Sequence, residues 1–148
     1  MSLLIKGFSK QEVIEIDEIA RIVKRIPRKH LLGLTAIVFD PSYVYQRSYV
    51  EYKPINYRAA GIYAKSPLDH ILIHKFKDKS DFTHILLHEV GHHVYTNIIT
   101  PKQRKLWVTK IYPSIVMPSE YAKKNASEGF SECYAFKTKE ISLLLGNL

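Results

Sequence analysis

Residues 88–92 of the chain, His88-Glu89-Val90-Gly91-His92, form an HExxH motif in a stretch with helical periodicity. On a helix the two histidines are four residues apart, so they lie on one face, one turn above the other. Two imidazoles in this arrangement can bind one zinc ion at about 2.0–2.1 Å. Glu89 is not placed to be a ligand, but it lies beside the ion and can accept a proton from water activated there. The motif therefore predicts zinc bound by His88 and His92, with Glu89 as a general base.

The alternative is an accidental motif on an ordinary helix, because HExxH is short. The helical context argues against accident: Ser80 is a candidate N-cap, and we predict a helix from about Asp81 to Ile98. Its apolar positions recur at helical spacing and are Phe82, Leu86, Leu87, Val90 and Val94. Gly91 costs a helix roughly 1 kcal/mol relative to alanine, which indicates that another element packs closely against it.

We do not predict the other histidines around the motif to be metal ligands. His84 lies about 12 Å along the helix axis from His92, at roughly 1.5 Å per residue, so we expect it at the rim or behind a ligand. His93 points away from the motif face, so it is expected to be structural or exposed. His70 and His74 share one face of a predicted strand, and no other residue supports a metal site there.

Length and composition indicate one globular domain spanning residues 1–148. The chain is 46% hydrophobic, and no apolar run approaches the ~20 residues of a membrane span. The first residues carry no signal-peptide pattern, which predicts a cytoplasmic protein, or a secreted one if a leader precedes this sequence. Cys133 is the single cysteine, so an internal disulfide and a thiolate zinc site are both excluded.

The net charge of +8 permits an acidic partner such as nucleic acid or anionic lipid. The basic residues are scattered, however, and no nucleic-acid motif accompanies them. We therefore interpret them as a solvated surface, and we expect a monomer without a membrane or nucleic-acid partner.

The sequence before the motif predicts one helix and three strands. Ser9 to Glu12 resembles a capping box, and the helix that it opens ends before Pro27. Residues 34–39 read as a buried strand, and residues 61–64 and 70–74 as two short strands around a turn. The predicted fold class is α+β: a small, twisted, mostly antiparallel sheet with the HExxH active-site helix and a C-terminal helix that bears glutamates.

Residues 40–59 are rich in tyrosine, and Pro41 and Pro54 break any regular structure there. The tyrosines are Tyr43, Tyr45, Tyr49, Tyr52 and Tyr57. One interpretation is a substrate-binding flap, because tyrosine offers contact area at low entropic cost. The other, which we slightly favour, is an irregular β-hairpin with half-buried tyrosines.

Two helices are predicted after the motif. Thr100-Pro101 opens the first with an N-cap and a proline at the first helical position, and this helix ends before Pro113. The last helix begins near Asn125 or Ser127 and runs to about Leu145.

The last helix supplies the candidates for a third ligand. HExxH zinc hydrolases use one further protein ligand and keep a position open for water. Glu128 and Glu132 are four residues apart and share a face, whereas Phe130 and Cys133 lie largely on the other side. Two such acidic residues repel each other mildly unless a cation is present. The face that carries Glu128 and Glu132 is therefore expected to point inward if it binds a metal ion. Without a metal ion it would be an ordinary surface exposed to solvent.

The same region resembles the metalloprotease domain of anthrax lethal factor and its relatives, which include the small Pro-Pro endopeptidases. In that family a tyrosine follows HExxH, the glutamate zinc ligand follows seven residues later, and a second glutamate comes four residues after that. Here Tyr121 precedes Glu128 by seven residues, and Phe130 and Glu132 follow. The order of predicted elements is also similar from about residue 10 onward. The larger members carry delivery and targeting domains that these 148 residues do not include, so we do not expect the toxin role to carry over.

The resemblance implies a gluzincin-like, zinc-dependent metalloendopeptidase that acts on a protein or peptide substrate. It implies that Glu128 is the third zinc ligand, Glu89 the general base and Tyr121 a donor to the oxyanion. Glu132 is expected to hold the second nitrogen of a histidine. An extended substrate would lie along an edge strand, for which 61–64 and 70–74 are the candidates.

Two other functions stay open at this point. One is a cytoplasmic prophage-type protease that cleaves a regulator, which neighbouring genes would reveal. The other is a non-catalytic, metal-stabilised binding or virion module whose basic surface engages nucleic acid or a virion component. Glu89 and Tyr121 argue against the module, because a structural zinc ion needs neither residue.

Overall fold

The computed structural model describes residues 3–41, 60–146 and 148 of the chain. Its strands and helices, in chain order, are β1 Leu4–Lys6, α1 Ile16–Arg25, β2 Ala36–Phe39, β3 Gly61–Ala64, β4 His70–Ile73, α2 Lys79–His93, α3 Pro101–Leu106 and α4 Ala126–Leu145. The predicted α+β class is confirmed in this form, with a small mixed sheet and four α-helices among the described residues. The two interpretations of the tyrosine-rich segment concern residues 42–59, which lie outside the described residues.

The four strands form one sheet in the order β1-β2-β4-β3. β1 pairs with β2 in parallel, β2 pairs with β4 in parallel, and β3 pairs with β4 antiparallel. The prediction of a mostly antiparallel sheet is therefore wrong. The physical reason is that α1 lies between β1 and β2 in the chain, and a crossover connection brings two strands together in parallel. Among the described strand pairs, only the short β3–β4 hairpin is antiparallel.

The sheet order leaves β3 at an edge. β4 pairs on both of its sides, with β2 and with β3, so residues 70–73 have no free edge to offer. β3 pairs with β4 alone among the described strands. Of the two candidate substrate strands, β3 is the one with an open edge in the described sheet.

Helix α1 begins later than predicted. Ser9 does not open it, because Phe8–Lys10 form a separate 3-10 turn and the helix starts at Ile16. The side chain of Gln11 satisfies the intervening backbone: its Nε2 donates to the carbonyl oxygens of Phe8 at 2.7 Å and Ile14 at 2.8 Å. The predicted end of α1 before Pro27 is confirmed.

Helix α2, which contains the HExxH motif, packs across β3 and β4. Its N-cap is Asp78 and not Ser80, because Oδ1 of Asp78 accepts a hydrogen bond of 2.8 Å from the backbone N–H of Asp81. After His93 the chain continues as a π-helical turn to Ile98. Four apolar side chains of α2 are buried: Phe82, Ile85, Leu86 and Val90.

Helix α4 lies against α2 at very close range. A Cβ atom on Gly91 would lie 2.8 Å from Cα of Ser131 and 3.1 Å from Cβ of Tyr134. This confirms the prediction that another element packs closely on Gly91. The predicted Thr100 N-cap of α3 and the span of α4 are also confirmed. The backbone contact at Gly91 brings the glutamate-bearing face of α4 to the two histidines of α2.

Candidate metal centre

Three donor atoms of α2 and α4 converge on one point. Oε1 of Glu128 lies 3.0 Å from Nε2 of His88 and 2.8 Å from Nε2 of His92. Ligands of a tetrahedral zinc ion at about 2.0–2.2 Å lie roughly 3.3 Å from one another. Two imidazoles and one carboxylate are a donor set that could hold a metal ion, and the donor atoms would need to separate by only a few tenths of an ångström to reach that spacing. Among the described residues, this is the one group of His, Cys, Asp or Glu that could hold a metal ion.

Local structure fixes each of the three donors. The register of α2 places the rings of His88 and His92 on one face, with their centroids 4.9 Å apart. Glu128 lies in the first turn of α4, where Oδ1 of the N-cap Asn125 accepts the backbone N–H of Glu128 at 2.8 Å. The cap holds the start of α4, and with it the carboxylate, in position.

Glu132 lies behind the donor set. Nδ1 of His88 donates to Oε2 of Glu132 at 2.8 Å, which is the contact expected from the sequence. This bond fixes the tautomer of His88, since a proton on Nδ1 leaves Nε2 free to bind a metal. Nε2 of His84 lies 3.0 Å from the same carboxylate oxygen, so His84 supports the site from behind.

Glu89 is buried beside the donors. Burial raises the pKa of its carboxyl group, while His88, His92 and a hydrogen bond from the backbone N–H of Tyr63 act to lower it. Tyr63 belongs to β3, and β3 also approaches closely at Gly61, where a Cβ atom would lie 3.2 Å from Cγ of Glu89. Glu89 therefore sits between the metal donors and the edge strand.

Tyr121 reaches the same site from the loop before α4. Its hydroxyl donates to Oε2 of Glu128 at 3.2 Å, and its ring centroid lies 5.8 Å from that of His88. Partial burial and the charge of Glu128 raise the pKa of Tyr121 to about 12. The phenol is therefore a protonated donor at neutral pH, although half of the side chain is exposed.

Without a metal ion the donors form a charged hydrogen-bonded cluster. Burial lowers the pKa of His88, but hydrogen bonds to Glu128 and Glu132 outweigh it and raise the value to about 9. Burial acts to raise the pKa of Glu128, but hydrogen bonds from His88 and His92 hold it far below its usual range. An incoming cation must therefore displace a proton from His88.

A second polar network joins β3 to the far side of α2. His93 is fully buried, and its Nε2 donates to the carbonyl oxygen of Leu32 at 2.7 Å. Its Nδ1 lies 3.1 Å from the hydroxyl of Tyr63, which donates to Oδ2 of Asp69 at 2.9 Å. His93 is thus structural, one of the two expected outcomes. The helical spacing of His93 and Asn97 is the one sequence signal that could have pointed to this network, which the Asn97 side chain joins.

The remaining sequence predictions about histidines concern His70 and His74. Nδ1 of His74 donates to the carbonyl oxygen of Asp40 at 2.8 Å, and Nδ1 of His70 lies 2.6 Å from the carbonyl oxygen of Leu68. Neither residue belongs to the metal-binding group found among the described residues.

In the described part of the chain, no helix has the length and apolar character that crossing a membrane requires.

No protein-family model, characterised protein or solved structure matches this chain. The resemblance to the lethal factor metalloproteases therefore stays a prediction from the spacing of Tyr121, Glu128 and Glu132.

Proposed function

We propose that this chain is a zinc-dependent metalloendopeptidase. The observation that carries the proposal is the position of Glu89, buried between three convergent metal donors and β3, an edge strand of the described sheet. The proposal draws further support from the hydroxyl of Tyr121, which lies at the same site. A metal-stabilised module needs neither group, so their presence beside the donors favours catalysis.

His88, His92 and Glu128 would hold the ion. When bound, zinc polarises a carbonyl group and lowers the pKa of water toward about 7. The carboxylate of Glu128 also offsets part of the ion's charge, and Glu132 keeps His88 in the tautomer that zinc requires.

Glu89 acts as the proton carrier of the proposed reaction. Its carboxylate accepts a proton from the attacking water as the oxygen bonds to the peptide carbonyl carbon. It then delivers that proton to the amine nitrogen as the C–N bond breaks, so the carboxylate is regenerated. Burial raises the pKa of the Glu89 carboxyl group, and proton transfer by a positioned carboxylate is a usual form of general acid–base catalysis.

Tyr121 stabilises charge on the carbonyl oxygen in this mechanism. Its hydroxyl donates to Oε2 of Glu128 at 3.2 Å, a bond that it can exchange for one to the oxygen that becomes negative. Donors aimed at developing charge contribute on the order of 10²–10³ in kcat.

β3 is the proposed binding strand for the substrate backbone. An extended peptide that pairs with a sheet edge gains main-chain hydrogen bonds independent of its sequence. A Cβ atom on Gly61 would lie 2.8 Å from Cγ2 of Ile85 and 3.2 Å from Cγ of Glu89, so the glycine allows β3 to pack closely on α2 at the general base. A substrate on this edge would therefore pass directly beside the general base.

A peptide library tests the proposal. We expect the zinc-loaded protein to cleave a subset of peptides, a chelator to abolish cleavage, and added zinc to restore it. The matched control is Glu89→Gln, which should bind zinc and melt like the unmodified protein but not cleave. Absence of cleavage by the folded, zinc-loaded protein, or equal cleavage by Glu89→Gln, would refute a peptidase with this mechanism.

A further inference from the structure

We infer that Ser119 is a positioning residue that links the predicted ligand His88 to Tyr121 through Glu132. This inference rests on the proposed function, because it concerns how Tyr121 is placed for the reaction. Ser119 lies two residues before Tyr121, and its hydroxyl bonds to Glu132 and to the backbone of Ala122. It acts through the groups that it orients.

The two oxygens of Glu132 face two different parts of the site. Oε2 accepts the Nδ1–H of His88 at 2.8 Å, and Oε1 accepts the hydroxyl of Ser119 at 2.8 Å. The Glu132 carboxylate is therefore hydrogen-bonded both to His88 of α2 and to the loop that precedes Tyr121. Glu132 is itself buried, which strengthens both hydrogen bonds relative to water.

The hydroxyl of Ser119 also accepts a hydrogen bond. The backbone N–H of Ala122 donates to Oγ of Ser119 at 3.1 Å, at the start of the 3-10 turn Tyr121–Lys123. The carbonyl oxygen of Ala122 accepts the hydroxyl of Tyr112 at 3.1 Å. Ala122 is fully buried, so both of its backbone polar groups depend on these partners.

The placement of Tyr121 depends on this turn. Its side chain is half exposed, and the hydrogen bond from its hydroxyl to Glu128 is long at 3.2 Å. The next residue, Ala122, is held by two backbone hydrogen bonds, one to the hydroxyl of Ser119 and one from the hydroxyl of Tyr112. These bonds fix the backbone that follows Tyr121. Removing the Ser119 hydroxyl leaves a buried N–H and one oxygen of Glu132 without that partner. The turn is then expected to shift, while the bond of Glu132 to His88, through the other oxygen, persists.

The first test compares three variants. Ser119→Ala should keep its zinc and its KM but lose about 10–100-fold in kcat, the scale for groups behind a metal site. Ser119→Thr retains a hydroxyl and should restore most of the loss. The matched control is Ser114→Ala, because Oγ of Ser114, in the same loop region, donates to the carbonyl oxygen of Lys110 and not to the site. Unchanged kcat in Ser119→Ala would overturn the inference.

A double-mutant cycle separates positioning from an independent effect. If Ser119 acts by placing the Tyr121 hydroxyl, then adding Ser119→Ala to Tyr121→Phe should cause little further loss of kcat. Losses that multiply would mean that Ser119 acts by another route and would overturn the link. Full kcat in Tyr121→Phe would instead remove Tyr121 from the reaction and so refute that part of the proposed function. Loss in Tyr121→Phe but not in Ser119→Ala would refute this inference alone.

A second readout needs neither zinc nor activity. Amide hydrogen exchange at Ala122, followed by NMR in the zinc-free protein, reports its bond to Ser119 directly. We expect exchange to accelerate in Ser119→Ala and to stay unchanged in Ser114→Ala. Unchanged exchange at Ala122 in Ser119→Ala would overturn the inference even if no peptidase activity is found.

Discussion

Nδ1 of His88 lies 2.8 Å from Oε2 of Glu132, while Nε2 of the same ring lies 3.0 Å from Oε1 of Glu128. The two glutamates thus contact opposite nitrogens of one imidazole. Glu128 lies on the side where the donors converge, and Glu132 lies behind the ring. This geometry assigns different roles to two carboxylates that the sequence places on the same face of α4.

The two carboxylates are predicted to respond differently to substitution. Glu128→Ala should abolish stoichiometric zinc binding, because a ligand is removed. Glu132→Gln should weaken zinc affinity about 10–100-fold, because His88 keeps its place but loses a charged partner. Competition with a fluorescent zinc chelator measures both affinities. Full metal retention in Glu128→Ala, with loss in the Glu132 variant, would reverse the two assignments.

Tyr121→Phe is predicted to separate chemistry from folding. The variant should hold zinc and melt near the unmodified protein, because the hydroxyl is at a half-exposed position. Its kcat should fall by roughly 10²–10³ with little change in KM, since the bond to the oxyanion forms mainly in the transition state. Steady-state kinetics beside a melting curve provide the measurement. A loss of stability with unchanged turnover per folded molecule would identify a purely structural tyrosine.

Zinc binding is predicted to release a proton and to tighten as pH rises. Hydrogen bonds to Glu128 and Glu132 raise the pKa of His88 to about 9, so the free site holds this proton at neutral pH. Zinc needs the neutral ring, and each proton displaced makes the affinity rise about tenfold per pH unit below that pKa. Glu128 is already ionised and releases none.

Calorimetric titrations in buffers of different ionisation enthalpy count the released protons. The control is Glu132→Gln, which removes one of the carboxylates that raise the pKa of His88 and should release fewer protons. An affinity that is constant from pH 6 to pH 9 would contradict the charged cluster.

Gly91→Ala is predicted to destabilise the fold and the site together. In an isolated helix this change would be favourable by about 1 kcal/mol. Here the added Cβ would lie 2.8 Å from Cα of Ser131, so α2 and α4 must separate. Overpacking of this kind typically costs about 1–3 kcal/mol, and the separation draws Glu128 away from the histidines. Urea unfolding of the zinc-free protein and a zinc titration test both effects, and increased stability would show that the helices do not meet at Gly91.

Local patterns in the sequence predicted the helices that form the site. Helical periodicity and end signals are properties of a few neighbouring residues. They placed the start of the last helix near Asn125 or Ser127 and its end near Leu145, close to the observed Ala126–Leu145, and they placed the N-cap of α3 at Thr100. They failed where two good signals compete, as at the start of α2. Asp78 and Ser80 are both good N-cap residues, and the backbone conformation of the folded chain selects Asp78.

Long-range features could not be predicted in this way. The direction of β2 relative to β4 depends on how the intervening chain crosses, not on the residues of either strand. β1 is three residues long, too short for any periodicity. Ser119 carries no local signal either, because its importance comes from contacts with Glu132 and the turn at Ala122. From the residues alone, Glu128 and Glu132 were equally good candidates for the third metal ligand. The choice of Glu128 came from the family resemblance alone.

The donors come from two segments far apart in the chain, since Glu128 follows His92 by 36 residues and His88 by 40. The unfolded chain therefore contains no preformed site, and an ion that bridges α2 and α4 acts as a removable cross-link. Binding to the native state alone stabilises it by about 2.7 kcal/mol at a free ion concentration 100 times Kd. The melting temperature should then vary with the free metal concentration, so that the protein reports on the metal content of its surroundings. A chelator would therefore lower the melting temperature of the metal-loaded protein, even where the metal-free chain remains folded.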